Sequence, residues 1–163
     1  MMTNGWRAAS SVVLLTMLST ACAGVQGGSV GARGAEDGTI VLFDGQSTEG
    51  WRQIGPGGFT VEAGTLASHG GMGLFYYAER PFRDFVLELE YRTISPGANS
   101  GIYIRFPEQT DDPLVPVATG YEIQINDLRD PMEQTGSVST FSPAVQLASK
   151  PAGEWNQTFE SSS

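Results

Sequence analysis

Three short stretches of this chain carry most of the side chains able to move protons or hold a polar ligand. Phe85 to Thr93 (FVLELEYRT) contains Glu88, Glu90 and Arg92; Ser100 to Phe106 (SGIYIRF) contains Tyr103 and Arg105; Tyr121 to Asp127 contains Glu122, Gln124, Asn126 and Asp127. A carboxylate is the ordinary biological base and acid, a guanidinium stabilises developing negative charge, and phenol and amide groups orient hydroxyls. Together these types suit proton transfer on a polyhydroxylated substrate. No dense metal-ligand motif accompanies them, so no cofactor is expected, although a carboxylate-lined cleft leaves room for a divalent cation. Asp111-Asp112 reads as a solvated loop pair, and the lone His69 sits in a glycine-rich loop (SHGGMG).

Such residues act together only if local structure puts them on one surface. All three stretches alternate apolar and polar residues, the period of a strand with one buried face. Phe85, Leu87, Leu89 and Tyr91 fall on one side and Val86, Glu88, Glu90 and Arg92 on the other. Ile102 and Ile104 oppose Tyr103 and Arg105, while Tyr121, Ile123 and Ile125 oppose Glu122, Gln124 and Asn126. Stacking the apolar faces into one core predicts a common polar sheet surface. Antiparallel sheets commonly leave one face to water, so alternation alone does not require function. The mixture of carboxylates, guanidinium, amide and phenol is what points to a ligand, and carbohydrate is the natural one.

Further strands are expected at Thr39 to Phe43, at Phe59 to Glu62 with Thr65 to Ser68 around an Ala63-Gly64 hairpin turn, and at Leu74 to Tyr77. Prolines at 96, 107, 113, 116, 131 and 143 interrupt every window long enough for an amphipathic helix. The expected fold is therefore all-β, a sandwich or jelly roll.

The chain carries 18 Asp and Glu against 9 Lys and Arg, a formal charge of −9. A surface of that sign repels phosphates, which argues against nucleic-acid partners. With a single cysteine, neither an intramolecular disulfide nor a zinc–thiolate cluster can form. Residues 1–22 read as an export signal: Arg7, then the apolar run Ser11 to Ala21, then Cys22. Leu18-Ser19-Thr20-Ala21-Cys22 resembles the lipobox of bacterial lipoproteins, whose cysteine is acylated; an ordinary signal cleaved near Ala21 or Ala23 is the alternative. Residues 23–38 are glycine-rich and aperiodic and read as a flexible tether, with the folded domain at 39–163. The protein is thus expected to be exported and to meet the membrane only through its lipid.

Several blocks occur in a fixed order: Leu42-Phe43-Asp44-Gly45 with Gly50-Trp51, Phe85 to Arg92, Asn99 to Arg105, Gly120 to Ile125, and Pro151-Ala152-Gly153-Glu154-Trp155-Asn156. Together they resemble the 3-keto-disaccharide hydrolase domain family. The resemblance implies a concanavalin-like jelly-roll sandwich and cleavage of a glycoside or disaccharide whose sugar is oxidised at carbon 3. It implies that Glu90 or Glu122 is the catalytic base or acid and that Arg105 or Arg92 stabilises an enolate. Tyr103, Gln124, Asn126 and Asp127 would bind substrate. Beyond Trp155-Asn156 the sequence leaves the family pattern, and Thr158 to Ser163 has no place in it. The reading at this point is a C-terminally incomplete sandwich, with a non-catalytic carbohydrate-binding lipoprotein or an inactive truncated remnant as alternatives.

Overall fold

The computed structural model describes residues 39–107 and 110–162, the last five of them by backbone alone. The export signal, Cys22 and the 23–38 tether lie outside the described residues. Eight strands form: β1 (Trp51–Ile54), β2 (Gly58–Glu62), β3 (Thr65–His69), β4 (Leu74–Tyr77), β5 (Phe85–Tyr91), β6 (Ser100–Ile104), β7 (Tyr121–Ile125) and β8 (Asn156–Ser162). They pair antiparallel as β1 with β4, β2 with β3, β5 with β8 and β6 with β7.

The alternation read from sequence becomes the core. Leu89 and Tyr91 of β5 and Ile125 of β7 are buried with Phe43 and Leu66, and Leu87, Ile102, Leu42, Trp51, Phe59 and Phe75 pack against them. Each such aliphatic or aromatic side chain contributes roughly 1.5–3 kcal/mol when fully removed from water. The aromatic members are ordered further: Phe75 stacks on Trp51 at 4.8 Å and on Phe59 at 4.9 Å. The Trp51 indole N–H donates to the Leu42 carbonyl at 2.6 Å, so the buried ring keeps a partner for its polar edge.

The β2–β3 hairpin forms where expected. Ala63 and Gly64 have φ of 50° and 81°, and two successive positive values match the right-handed twist of the flanking strands.

Four expectations need correction. Thr39 to Phe43 is not a strand; only Ile40 makes an isolated bridge, although Phe43 itself is 1% exposed. β1 was not foreseen. One short helix, α1 (Leu114–Thr119), exists despite its prolines. Pro113 sits at its N-cap and Pro116 in its first turn, where backbone N–H groups have no intrahelical acceptor in any case. Finally, the terminal segment, expected to have no place in the domain, pairs with β5 as β8, from Tyr91 opposite Asn156 to Phe85 opposite Ser162.

Candidate active site

The β6–β7 register decides which polar residues meet. Tyr103 lies opposite Glu122 and Gly101 opposite Gln124, so all four share one face. The Tyr103 hydroxyl donates to the Glu122 carboxylate. Glu122 leans across Gly101: a Cβ built on that glycine would sit 2.3 Å from Glu122 Oε1. The missing side chain at 101 is therefore the space the carboxylate occupies.

A second carboxylate approaches from the segment that follows β7. Its backbone runs beside β7, with Gln124 N–H donating to Ser137 O at 3.0 Å and Ser139 N–H donating to Glu122 O at 2.9 Å. This places Glu133 where the Ser139 hydroxyl reaches both its oxygens, at 3.2 and 3.1 Å, and Gln124 Nε2 approaches at 3.4 Å. Sequence reasoning missed Glu133 and Ser139. They lie in a connection with no hydrophobic period, and their only sequence signal is their nearness to β7.

The electrostatics follow from this packing. Half-burial raises Glu122 above the ordinary carboxylate value; the Tyr103 hydrogen bond pulls it down and the Glu133 charge pushes it up again. Tyr103 stands well above the ordinary phenol value, first through burial, then through the Glu122 charge and the hydrogen bond to it, and last through Glu133. At neutral pH this is a phenol held as a donor beside a carboxyl of enhanced basicity.

Tyr103 and Glu122 line a cleft of about 1300 Å³. It runs between β5 and β6, whose Cα atoms nowhere come within 8 Å of each other. Neighbouring strands in a sheet are about 4.8 Å apart, so these two are not neighbours. Consecutive residues of both strands, Val86 to Leu89 and Ser100 to Ile104, line the cleft, and Trp51, Phe75 and Tyr77 form an aromatic flank. His69 also lines it, with its ring over Gly58.

The other sequence candidates are dispersed. Glu90 lies opposite Gln157 on the β5–β8 pair and does not line this cleft. Arg92 is turned to Trp155, its guanidinium carbon 4.9 Å from the ring centroid. Arg105 lines the cleft but leaves the strand pattern. β6 ends at Ile104, Arg105 adopts a left-handed φ of 59°, and its guanidinium donates to the Arg83 carbonyl at 3.4 Å.

Gln124 and Asn126 are buried, at 5% and 6% exposure, instead of lying open on a sheet face. Gln124 Oε1 accepts from the Ile125 N–H at 3.0 Å. Asn126 donates to Asn99 Oδ1 at 3.2 Å and accepts from the Leu128 N–H at 3.2 Å, while Asp127 accepts from Thr135 at 2.5 Å and from Ser149 at 2.7 Å. These three side chains hold the β7–β8 connection in place. Burial and the nearby Asp127 charge push Tyr91 up to about 12. Among the described residues, no group of three or more His, Cys, Asp and Glu side chains converges as metal ligands.

A family-wide sequence profile described as the 3-keto-alpha-glucoside-1,2-lyase-like domain matches residues 38–159. The chain belongs to this family. The 3-keto-alpha-glucoside-1,2-lyase-like match takes in β1 to β7 and the start of β8. The chain is also 33% identical over 150 residues to a 3-keto-disaccharide hydrolase of Bacteroides thetaiotaomicron, across 74% of its own length. It spans about half, 51%, of that relative. Among solved structures it resembles that of a glycosyl hydrolase candidate from Parabacteroides distasonis, with a TM-score of 0.59 at 21% identity. That likeness covers 72% of this chain and 60% of the other. At such identity it speaks to fold, and the fold of this 3-keto-alpha-glucoside-1,2-lyase-like domain is the all-β jelly-roll sandwich that the strand pattern predicts.

Proposed function

We propose that this domain cleaves glycosides whose sugar carries a ketone at carbon 3, by elimination, with Glu122 as the base. The observation that carries the reading is the Tyr103–Glu122 pair, a basic carboxyl and a phenol donor side by side in the cleft. The family described as lyase-like and the relative named a hydrolase of 3-keto-disaccharides support it.

The chemistry matches two adjacent protein groups to two adjacent substrate atoms. A ketone at carbon 3 acidifies the hydrogen on carbon 2. Glu122 takes that proton, and the electron pair of the C–H bond moves toward the carbonyl oxygen as an enolate. Tyr103, no longer facing a charged partner, turns its O–H to the enolate oxygen. Collapse of the enolate restores the ketone, forms the carbon 1–carbon 2 double bond and breaks the bond from carbon 1 to the glycosidic oxygen. The departing oxygen receives the proton that Glu122 gained. Water then adds across the double bond to give the free 3-keto sugar. Of Arg105 and Arg92, the two cations that the family resemblance offers for the enolate, Arg105 is directed to Arg83 and Arg92 to Trp155, so in this reading Tyr103 takes that role.

We propose further that the domain lies outside the cytoplasm, tethered through an acylated Cys22; the run from Arg7 through Ser11–Ala21 to Cys22 supports this.

Turnover of a 3-keto-glucoside and of its unoxidised parent, compared in the full chain, tests the proposal. The keto sugar is expected to be cleaved and the parent spared, because only the ketone acidifies carbon 2. Glu122→Gln is expected to lower turnover by roughly 10²–10⁴-fold. Equal cleavage of both sugars, or full activity in Glu122→Gln, would overturn it. Binding of either sugar without product release would favour a carbohydrate-binding module instead.

A further inference from the structure

We propose that the gap between β5 and β6 receives an extended segment of another polypeptide, one that alternates apolar with basic residues and completes the sheet as an added strand. The inference concerns the frame that carries the cleft and does not depend on the chemistry assigned to Glu122.

The walls of the gap are strand edges. β5 pairs with β8 and β6 with β7, and among the described residues neither strand pairs on its other side. Backbone N–H and C=O groups of alternate residues point to opposite edges of a strand, so each wall turns a row of donors and acceptors toward the gap. Phe85 to Leu89 and Ser100 to Ile104 line the same cleft without interruption, five residues on each side. The width suits one strand. The Cα atoms of β5 and β6 nowhere come within 8 Å of each other, and a strand seated between two others needs about 4.8 Å on either side, roughly 9.6 Å in all.

The two faces of the gap dictate the pattern of its occupant. Inward, it opens onto the core. Leu87 and Ile102 flank it and pack on the buried cluster together with Trp51, Phe59 and Phe75, which line the cleft while only partly buried. Apolar side chains cover such surface favourably, at about 25 cal/mol per Å². Outward, the flanking side chains are Glu88 of β5 and Tyr103 of β6, with Glu122 opposite Tyr103. Glu88 is exposed, and among the described residues no basic side chain is paired with it. A strand alternates its side chains between two faces, so an occupant that buries apolar residues inward presents every second residue to Glu88 and Glu122. Basic residues at those positions complement the two carboxylates, while main-chain bonds to both edges supply the rest of the affinity. Tyr103 and Glu122 stay on the polar face of the completed sheet.

The probe is a seven-residue peptide, blocked at both ends, that alternates lysine with valine and has lysine outermost. Added to the full chain at millimolar concentration, it is expected to slow amide exchange in β5 and β6 by at least about 10-fold, to leave β2 and β3 unchanged, and to raise the melting temperature with concentration. The same peptide N-methylated at its valines, which blocks one of its edges, is expected to bind at least about 10-fold more weakly, as is the counterpart with glutamate for lysine. Glu88→Lys is expected to narrow or reverse the preference for lysine over glutamate. Absence of added protection in β5 and β6, or equal binding of the three peptides, would overturn the proposal. Protection present without any peptide would overturn it as well: lost on dilution, it would assign the gap to a second copy, and insensitive to dilution, to a segment of this chain.

Discussion

Glu122 differs from a carboxylate on an open sheet face because its ionisation is opposed by the fold. Burial and the neighbouring Glu133 both favour its protonated form, and the Tyr103 hydrogen bond only partly offsets them. The folded state therefore holds the Glu122 proton to a higher pH than the unfolded chain does. Between the unfolded value, near 4.5, and the raised folded value, the native state binds more protons, so stability falls as pH rises. Glutamine is a permanent copy of the protonated form, and its amide oxygen can still accept from Tyr103. Glu122→Gln is therefore expected to melt at a higher temperature than the parent at about pH 8 and at the same temperature below about pH 4. Thermal melts at both pH values check this; a variant less stable at pH 8 would show that the Tyr103 bond outweighs burial. Residues that gain stability when neutralised are often those held in strained readiness for chemistry. At this scale the sequence revealed Glu122 and Tyr103 through strand alternation. It hid Glu133 and Ser139, because a connection has no period to read.

β6 and β7 act as a single device, and its least visible part is a glycine. The register sets Tyr103 against Glu122, and the empty position at Gly101 lets the carboxylate lie flat along the sheet. Gly101→Ala would place a methyl 2.3 Å from Glu122 Oε1, too close for both to stay. The obstructed atom is the far end of a flexible side chain, so the carboxylate moves and the strand does not. Turnover of the keto sugar is expected to fall at least 10-fold, since small misplacements of a reacting group are costly, while the melting temperature changes little. Activity and thermal melts measured together check this; a variant that unfolds instead would mean the backbone gave way. Strands β5, β6 and β7 were legible because each buries one face, and the β2–β3 turn because Ala63-Gly64 sits between alternating runs. The errors are equally physical. β6 ends at Ile104 and Arg105 itself turns left-handed, so it leaves the alternation that seemed to display it. Arg92 lies one residue beyond the end of β5 and packs on Trp155, and a six-residue helix fits prolines that would break a longer one. Gln124 and Asn126 alternate like surface residues yet are buried, because the β7–β8 connection folds back against them. No local pattern announces a long-range cover of that kind.

For the whole molecule, we propose that the cleft is held at a membrane surface through Cys22. The export signal and Cys22 predict acylation. A single acyl chain gives only marginal binding, and two or more are needed for a stable anchor. The acidic composition, with a formal charge of −9, disfavours contact with anionic headgroups. Cys22→Ser is therefore expected to abolish incorporation of a labelled fatty acid in a bacterial host and to move the protein from the membrane fraction to the soluble exported fraction. Its activity on a 3-keto-glucoside in solution should be unchanged, because Tyr103 and Glu122 lie in β6 and β7, far along the chain from Cys22. Persistent membrane association in Cys22→Ser would mean that the domain itself binds the surface. Export of the parent without label would assign Ala21 or Ala23 as the cleavage site of an ordinary secretory signal.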